Sequence, residues 1–130
     1  MQVPDGLHYT QDHEWLRVEG DEGIIGITEY AAGELGDVVF VELPAAGASF
    51  ERAQSFGVIE SVKTASDLYA PAAGEIIAVN AALGDKPELV NNDPYGEGWM
   101  IRVRLADPGS IGESEGLMDA SAYRALIEAG

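Results

Sequence analysis

Phe56-Gly-Val-Ile-Glu-Ser-Val-Lys-Thr-Ala-Ser-Asp-Leu-Tyr-Ala-Pro71 is the stretch on which the reading of this chain turns. Val58, Ile59 and Val62 precede Lys63, and Leu68 and Tyr69 follow it. Small and polar residues, Ser61, Thr64, Ala65 and Ser66, surround the lysine. The pattern predicts two short β arms joined by a turn, with Lys63 at the turn. Most surface lysines are solvated charges with no further task. This one stands on a stiff support, pointing into water, in a chain whose only other lysine is Lys86. A modifying enzyme would meet few competitors, so Lys63 is suited to carry a covalently attached, swinging group.

The rest of the composition narrows the class. A length of 130 residues suits one domain. Sixteen glycines and six prolines, spread along the chain, suit many short strands joined by turns. The formal net charge of −16 repels phosphate backbones and anionic membranes and steers toward basic partner surfaces, so no nucleic acid and no membrane is expected as a partner. No apolar run is long enough to span a bilayer. With no cysteine, disulfides, thiolate metal sites and cysteine nucleophiles are excluded, and any sulfur redox chemistry must come from a bound group. The start, Met1-Gln-Val-Pro-Asp-Gly6, has neither signal nor transit character, which makes a cytoplasmic protein the expectation, ahead of a mature organelle form.

Read in order, Leu7–Thr10 predicts a first strand. Asp12, His13 and Glu14 form a dense polar cluster, but consecutive strand residues point to opposite faces, so they do not converge on a metal. Trp15, Leu16 and Val18 read as strand, with Trp15 in the core, and Gly23–Ile27 as the next. Thr28–Leu35 predicts a short helix capped by Thr28, with Gly36 in the left-handed position past its end. Asp37–Leu43 is a strand, Phe50 begins another, and Pro87–Pro94 is a turn or a single helical turn. Gly36-Asp-Val-Val-Phe-Val-Glu42 resembles Gly74-Glu-Ile-Ile-Ala-Val-Asn80, and Gly47 and Gly84 follow at similar distances. Two related half-motifs flanking the lysine predict a two-fold sandwich with the hairpin at its edge. Trp99–Leu105 alternates, with Trp99, Ile101, Val103 and Leu105 on one face and Met100, Arg102 and Arg104 on the other. Leu117–Ile127 predicts an amphipathic helix whose stripe is Leu117, Met118, Tyr123, Leu126 and Ile127.

No nucleophile elbow, phosphate-binding loop or zinc-protease motif is present, so a carrier is expected rather than an enzyme. Glu60 and Asp67 near Lys63 favour its charged form, which argues against a Schiff-base lysine.

At this point a family resemblance emerges. Glu60-Ser-Val-Lys-Thr-Ala-Ser-Asp-Leu-Tyr-Ala-Pro71 resembles the lipoylation hairpin of the glycine cleavage H-protein family. The resemblance extends through His13-Glu-Trp15, Gly26-Ile-Thr28, Leu35–Pro44, Gly74-Glu-Ile76, Val79-Asn80, Glu88–Asn91, Pro94-Tyr95, Gly98-Trp99 and Met118–Tyr123, nearly the whole chain in order. It departs at Thr64 and in the glycine-rich stretch Gly109–Gly116, where relatives look more helical.

The resemblance implies a mainly β fold, a lipoyl-domain-like flattened β-sandwich or hybrid barrel with a short internal helix and a C-terminal helix. Residues 1–130 would be one lipoyl-carrier domain, with a β core over about 7–105 and a helical segment over about 107–129. It implies lipoic acid in amide linkage to Lys63, with Glu60, Ser61, Val62 and Asp67 as the recognition hairpin. The implied partners are glycine decarboxylase (the P protein), aminomethyltransferase (T), dihydrolipoyl dehydrogenase (L), and a lipoate ligase or lipoyl/octanoyl transferase. Lysine plus lipoyl spans about a dozen bonds, a reach on the order of 10–15 Å. The family's loaded arm folds back on the body, and an acid there would hold its cationic amine; Glu14 is the first candidate and Asp67 the second. The alternatives are a biotinyl-type carrier, which usually places methionine beside the lysine, a shorter 2-oxo acid dehydrogenase lipoyl domain, a lipoate relay, and an unmodified acidic interaction protein.

Overall fold

A computed structural model describes residues 2–111 and 116–129 of the chain. Its strands are β1 (His8–Tyr9), β2 (Glu14–Glu19), β3 (Glu22–Ile27), β4 (Val38–Glu42), β5 (Ser49–Phe50), β6 (Ser55–Ser61), β7 (Ala65–Tyr69), β8 (Gly74–Val79) and β9 (Ile101–Leu105). The helices are α1 (Glu29–Leu35), α2 (Ala82–Asp85), α3 (Leu89–Asn92) and α4 (Ala120–Ala129), with a 3₁₀ turn at Pro108–Ser110. All pairings are antiparallel. They build a six-stranded sheet in the order β1-β2-β3-β9-β8-β5 and a three-stranded sheet in the order β4-β6-β7.

The sheets face one another across a shared core. Leu16, Ile25, Ile76, Ile101 and Val103 come from the large sheet, and Val38, Ile59 and Leu68 from the small one. This is the sandwich expected from the sequence, and among the described strands the two sheets remain separate. A second cluster, with Val3, Leu7, Tyr9, Trp15, Ile24, Ala120 and Tyr123, covers the opposite face of the large sheet at its β1–β3 end. Helix α4 lies over it, with the Tyr123 ring stacked 4.7 Å from that of Tyr9. Strand β3 is therefore buried on both faces, which explains its unbroken apolar run. Trp15 lies opposite Gly26, and a β-carbon on Gly26 would meet the indole at 2.7 Å, so the pair depends on a bare backbone there.

Several sequence expectations need correction. Trp99 is half-buried and Met100 fully buried, the reverse of the alternation expected, because β9 begins only at Ile101. Upstream, Met100 N donates to Ile25 O and Met100 O accepts from Asn80 N, so the residue is drawn inward by non-strand bonds. The final helix begins at Ala120, not Leu117. Leu117 belongs to the inter-sheet core, while Met118 bridges Tyr9 in a two-residue ladder. Leu126 is exposed, leaving Ala120, Tyr123 and Ile127 as the inward stripe. The stretch Gly109–Gly116 lies partly outside the described residues, at 112–115. The two half-motifs place one strand in each sheet, β4 and β8. Their trailing glycines are not equivalent, since Gly47 turns at φ 97° whereas Gly84 sits inside α2, a helix not expected from the sequence.

Candidate functional site

Strands β6 and β7 form the hairpin expected from the sequence, and its last ladder pair is Glu60 with Ala65. Tight hairpin turns usually need positive φ, which β-branched Val62 disfavours. Neither Val62 nor Lys63 adopts it. Ser61 holds the turn instead. Its N–H donates to Thr64 O at 2.8 Å, and its hydroxyl oxygen accepts from Lys63 N at 3.3 Å and Thr64 N at 3.2 Å. Ser61 is buried, while Val62, Lys63 and Thr64 are exposed.

The floor beneath the turn comes from the α1–β4 junction. Thr28 caps α1 by accepting from Ala31 N at 3.2 Å, and Gly36 ends the helix at φ 78°, ψ −155°. That is positive φ as expected, though in the extended region open essentially to glycine alone, not the left-handed helical one. The Lys63 stem lies over this residue; a β-carbon built on Gly36 would be 3.5 Å from Lys63 Cε. The lysine is thus exposed but leans over the body instead of standing straight off it. Asn91 of α3 locks the junction, accepting from Val38 N at 2.9 Å and donating to Gly36 O at 2.8 Å. Val62 N then donates to Asp37 O at 3.1 Å, tying turn to floor. Sequence reading quoted Asn91 only within a resembling stretch and missed its role, which is set by a contact 53 residues away along the chain.

Glu60 and Asp67 are both exposed, and neither comes within ion-pair distance of Lys63. Glu14 is 2% exposed. Strand alternation puts it on the same face as Leu16, toward the space between the sheets, whereas Trp15 faces the second cluster. Thr10 Oγ1 donates to Glu14 Oε1 at 2.7 Å and Tyr69 N donates to Oε2 at 3.3 Å. Burial outweighs these bonds and pushes the carboxyl up to about 7. His13 sits beside it at φ 70°, and burial lowers its pKa. Its Nδ1 is 2.8 Å from Tyr123 Oη, which in turn is 2.7 Å from Thr28 Oγ1. Tyr123 thereby joins helix α4 both to the cap of α1 and to the residue next to Glu14.

Glu14 and Asp67 line one cleft of about 290 Å³ between β2, α1 and β7, with Tyr30, Glu34, Leu35 and Leu68 among its walls. Leu35, on the cleft wall, immediately precedes Gly36, the residue under the Lys63 stem. Walls that mix apolar side chains with the acids Asp12, Glu14, Glu34 and Asp67 suit an alkyl chain ending in a cationic amine. A second cleft, of about 260 Å³, reaches the other side of Glu14 past Thr10 and Tyr69. Sequence reading named the two acids as first and second candidates for one role without showing that they line one cleft. The signal that would have joined them is the shared face of Glu14 and Leu16 on β2. Among the described residues no three His, Cys, Asp or Glu side chains gather as metal ligands, and no helix is long and apolar enough to cross a membrane.

Comparison with known proteins gives a consistent set of similarities. The family described as Glycine cleavage H-protein matches residues 7–130. A glycine cleavage system H protein of Magnetococcus marinus is 54% identical over 128 residues, covering 98% of this chain and 89% of its own length. One from Bacteroides thetaiotaomicron is 53% identical over 127 residues, covering 98% of both. The crystal structure of a glycine cleavage system H protein from Mycobacterium marinum superposes with a TM-score of 0.86 at 41% identity, covering 96% of this chain and 98% of that one.

Proposed function

This chain belongs to the glycine cleavage H-protein family, and from that premise we propose that it is the lipoyl-bearing shuttle of that system, with residues 1–130 acting as one carrier unit. In this reading Lys63 carries lipoic acid as an amide. The protein conveys an aminomethyl group from glycine decarboxylase to the aminomethyltransferase and presents the spent dithiol to dihydrolipoyl dehydrogenase. It catalyses no step itself. The observation that carries the reading is an exposed lysine, free of ion pairs to the described acids, on a hairpin turn of a body that also holds an acid-lined cleft.

Bound lipoate supplies a redox-active pair of sulfurs able to hold a one-carbon amine. The chain's own residues do the rest. Ser61 and Asn91 hold the attachment turn and its floor in place. Tethering replaces free diffusion with a high effective concentration at each partner. In this reading Glu14, ionised, accepts a hydrogen bond from the cargo's ammonium, with Asp67 the second candidate for that contact; both residues line the same cleft. A cation in the cleft offsets the burial that raises the Glu14 pKa and draws its proton off.

The intact mass of native protein tests the attachment. A lipoyl increment is expected, and it should vanish in Lys63→Arg; a biotin increment, or none in lipoate-replete cells, would replace this reading. For the cleft, Glu14→Ala should lipoylate normally yet lose the aminomethyl cargo to water faster than wild type. Equal decay rates would remove Glu14 from the role.

A further inference from the structure

Among the described residues four large apolar side chains stand out in solvent: Val39 (51% exposed), Phe40 (51%), Val62 (74%) and Leu126 (37%). Three of them gather at the Lys63 hairpin. Phe40 lies directly opposite Glu60, Val38 lies opposite Ser61, and Val62 is bonded through its N–H to Asp37. The register slips between Val38 and Phe40. The slip is a bulge, and it breaks the in–out alternation, so Val39 and Phe40 both face outward while Val38 and Val41 face the core. A sheet face meant only for water has no need of an irregularity that adds an apolar residue to it. Asp37, Glu42 and Glu60, all exposed, edge the patch with negative charge. An apolar centre inside a charged rim is the anatomy of a protein interface.

We propose that Val39, Phe40 and Val62 form the docking patch for the enzyme that acylates Lys63, a lipoate ligase presenting an apolar pocket with a basic rim. The proposal rests on the reading of Lys63 as the lipoyl attachment point. In the step it serves, the Lys63 amine, having given up a proton, attacks the acyl carbon of a lipoyl-adenylate. The new C–N bond forms as the C–O bond to the phosphate breaks, AMP leaves with that bond's electron pair, and the nitrogen sheds its second proton. No oxidation or reduction occurs. The step requires Lys63 Nζ to sit at bonding distance from the acyl carbon inside the enzyme. Val62 adjoins Lys63 in the chain, and the Val62 N–H bond to Asp37 O ties the start of β4 to the same turn, so an enzyme that takes Nζ into its active site lies against both strands. Enzymes visited by the finished arm differ, because their chemistry takes place on the order of 10–15 Å beyond the lysine and needs no contact with β4. Geometry therefore assigns the patch to the acylating enzyme, and the acidic rim asks for basic residues around its pocket.

The test pairs the double variant Val39→Ser/Phe40→Ser with Val62→Ser, which alters the other strand. All three positions are exposed, and unchanged thermal midpoints confirm that each variant folds. Each is acylated by an ATP-dependent lipoate ligase with lipoic acid and ATP and followed by intact mass. The expected result is a fall of about tenfold or more in kcat/KM for acylation by the double variant, as for truncated interface anchors, and a smaller fall for Val62→Ser. After prolonged incubation to full lipoylation, the double variant should support glycine turnover within about twofold of wild type. Wild-type rates of acylation in the variants would overturn the patch while leaving Lys63 as the attachment point. Normal acylation with slowed glycine turnover would also overturn it, giving the surface to the visited enzymes. Wild-type protein that never gains the lipoyl mass would overturn the attachment reading itself.

Discussion

The two sheets of this molecule share one core and treat their other faces in opposite ways. The six-stranded sheet is covered again at its β1–β3 end, where helix α4 and the N-terminal residues bury Trp15, Tyr9 and Ile24. The three-stranded sheet leaves its outer face bare, with Phe40, Glu42 and Glu60 in solvent. One sheet is therefore held from both sides, and the other contributes a single face to the core and a projecting turn. The contrast assigns stability to the first and contact with other molecules to the second. Changes to the tip of the small sheet should alter function at constant stability, and changes to the large sheet should do the reverse.

The largest effect should come from the smallest-looking change. Lys63→Arg keeps the charge and the stem but removes the amine able to form the amide, so glycine turnover in a reconstituted system should disappear entirely. Lys63 is exposed and without an ion pair to the described acids, so its stability should shift by no more than about 0.5 kcal/mol. Urea unfolding of the two proteins measures this. A midpoint shift comparable to a core substitution would break the division of labour between the sheets.

Trp15→Ala is the reciprocal experiment. The indole is fully buried, lies against Gly26, and donates from Nε1 to Pro94 O at 3.0 Å. Its removal leaves a cavity and an unpaired carbonyl, and should cost about 3–5 kcal/mol in urea unfolding. The folded fraction should still accept lipoate at Lys63 at the wild-type rate. A folded Trp15→Ala protein with slow acylation would show the two regions to be coupled.

What the sequence revealed follows the same division. Elements with local signals were legible: the Val-Lys turn between β-rich arms, the Thr28 cap with Gly36 past the helix end, and the alternation over Ile101–Leu105. Features set by distant contacts were not. Met100 is buried by bonds to Ile25 and Asn80, and Leu117 leaves the helix pattern to enter the inter-sheet core, neither of which periodicity within one segment can show. The bulge at Val39 was hidden because a run of β-branched residues reads alike with or without it. At the site, Lys63 was brought forward by its setting and by family resemblance, whereas Asn91 entered only within a resembling stretch, its bonding role hidden because its partners belong to another part of the chain. Glu14 was chosen as an acid near an arm; that it occupies a core-facing position only the pairing of β2 with β3 makes plain.

Glu14 is where the contrast between the sheets is sharpest, since it is a functional candidate held on the buried side. Its carboxyl is raised from 4.5 to about 7 by burial, so between these values the folded protein keeps a proton that the unfolded chain gives up. The stability this contributes is full below pH 4.5 and is lost as pH rises through about 7. The whole change is about 3–4 kcal/mol. His13 acts in the opposite sense, because burial lowers its pKa and its contribution is lost as pH falls, but it is common to wild type and variant. Glu14→Gln cannot ionise, so the stability of wild type minus that of the variant should decline from pH 5 to about pH 7 and level off above it, as read from urea midpoints in matched buffers. A difference that stays level across that range would mean that the carboxylate finds compensation when ionised, and that the empty cleft already provides what the cargo's ammonium is proposed to supply.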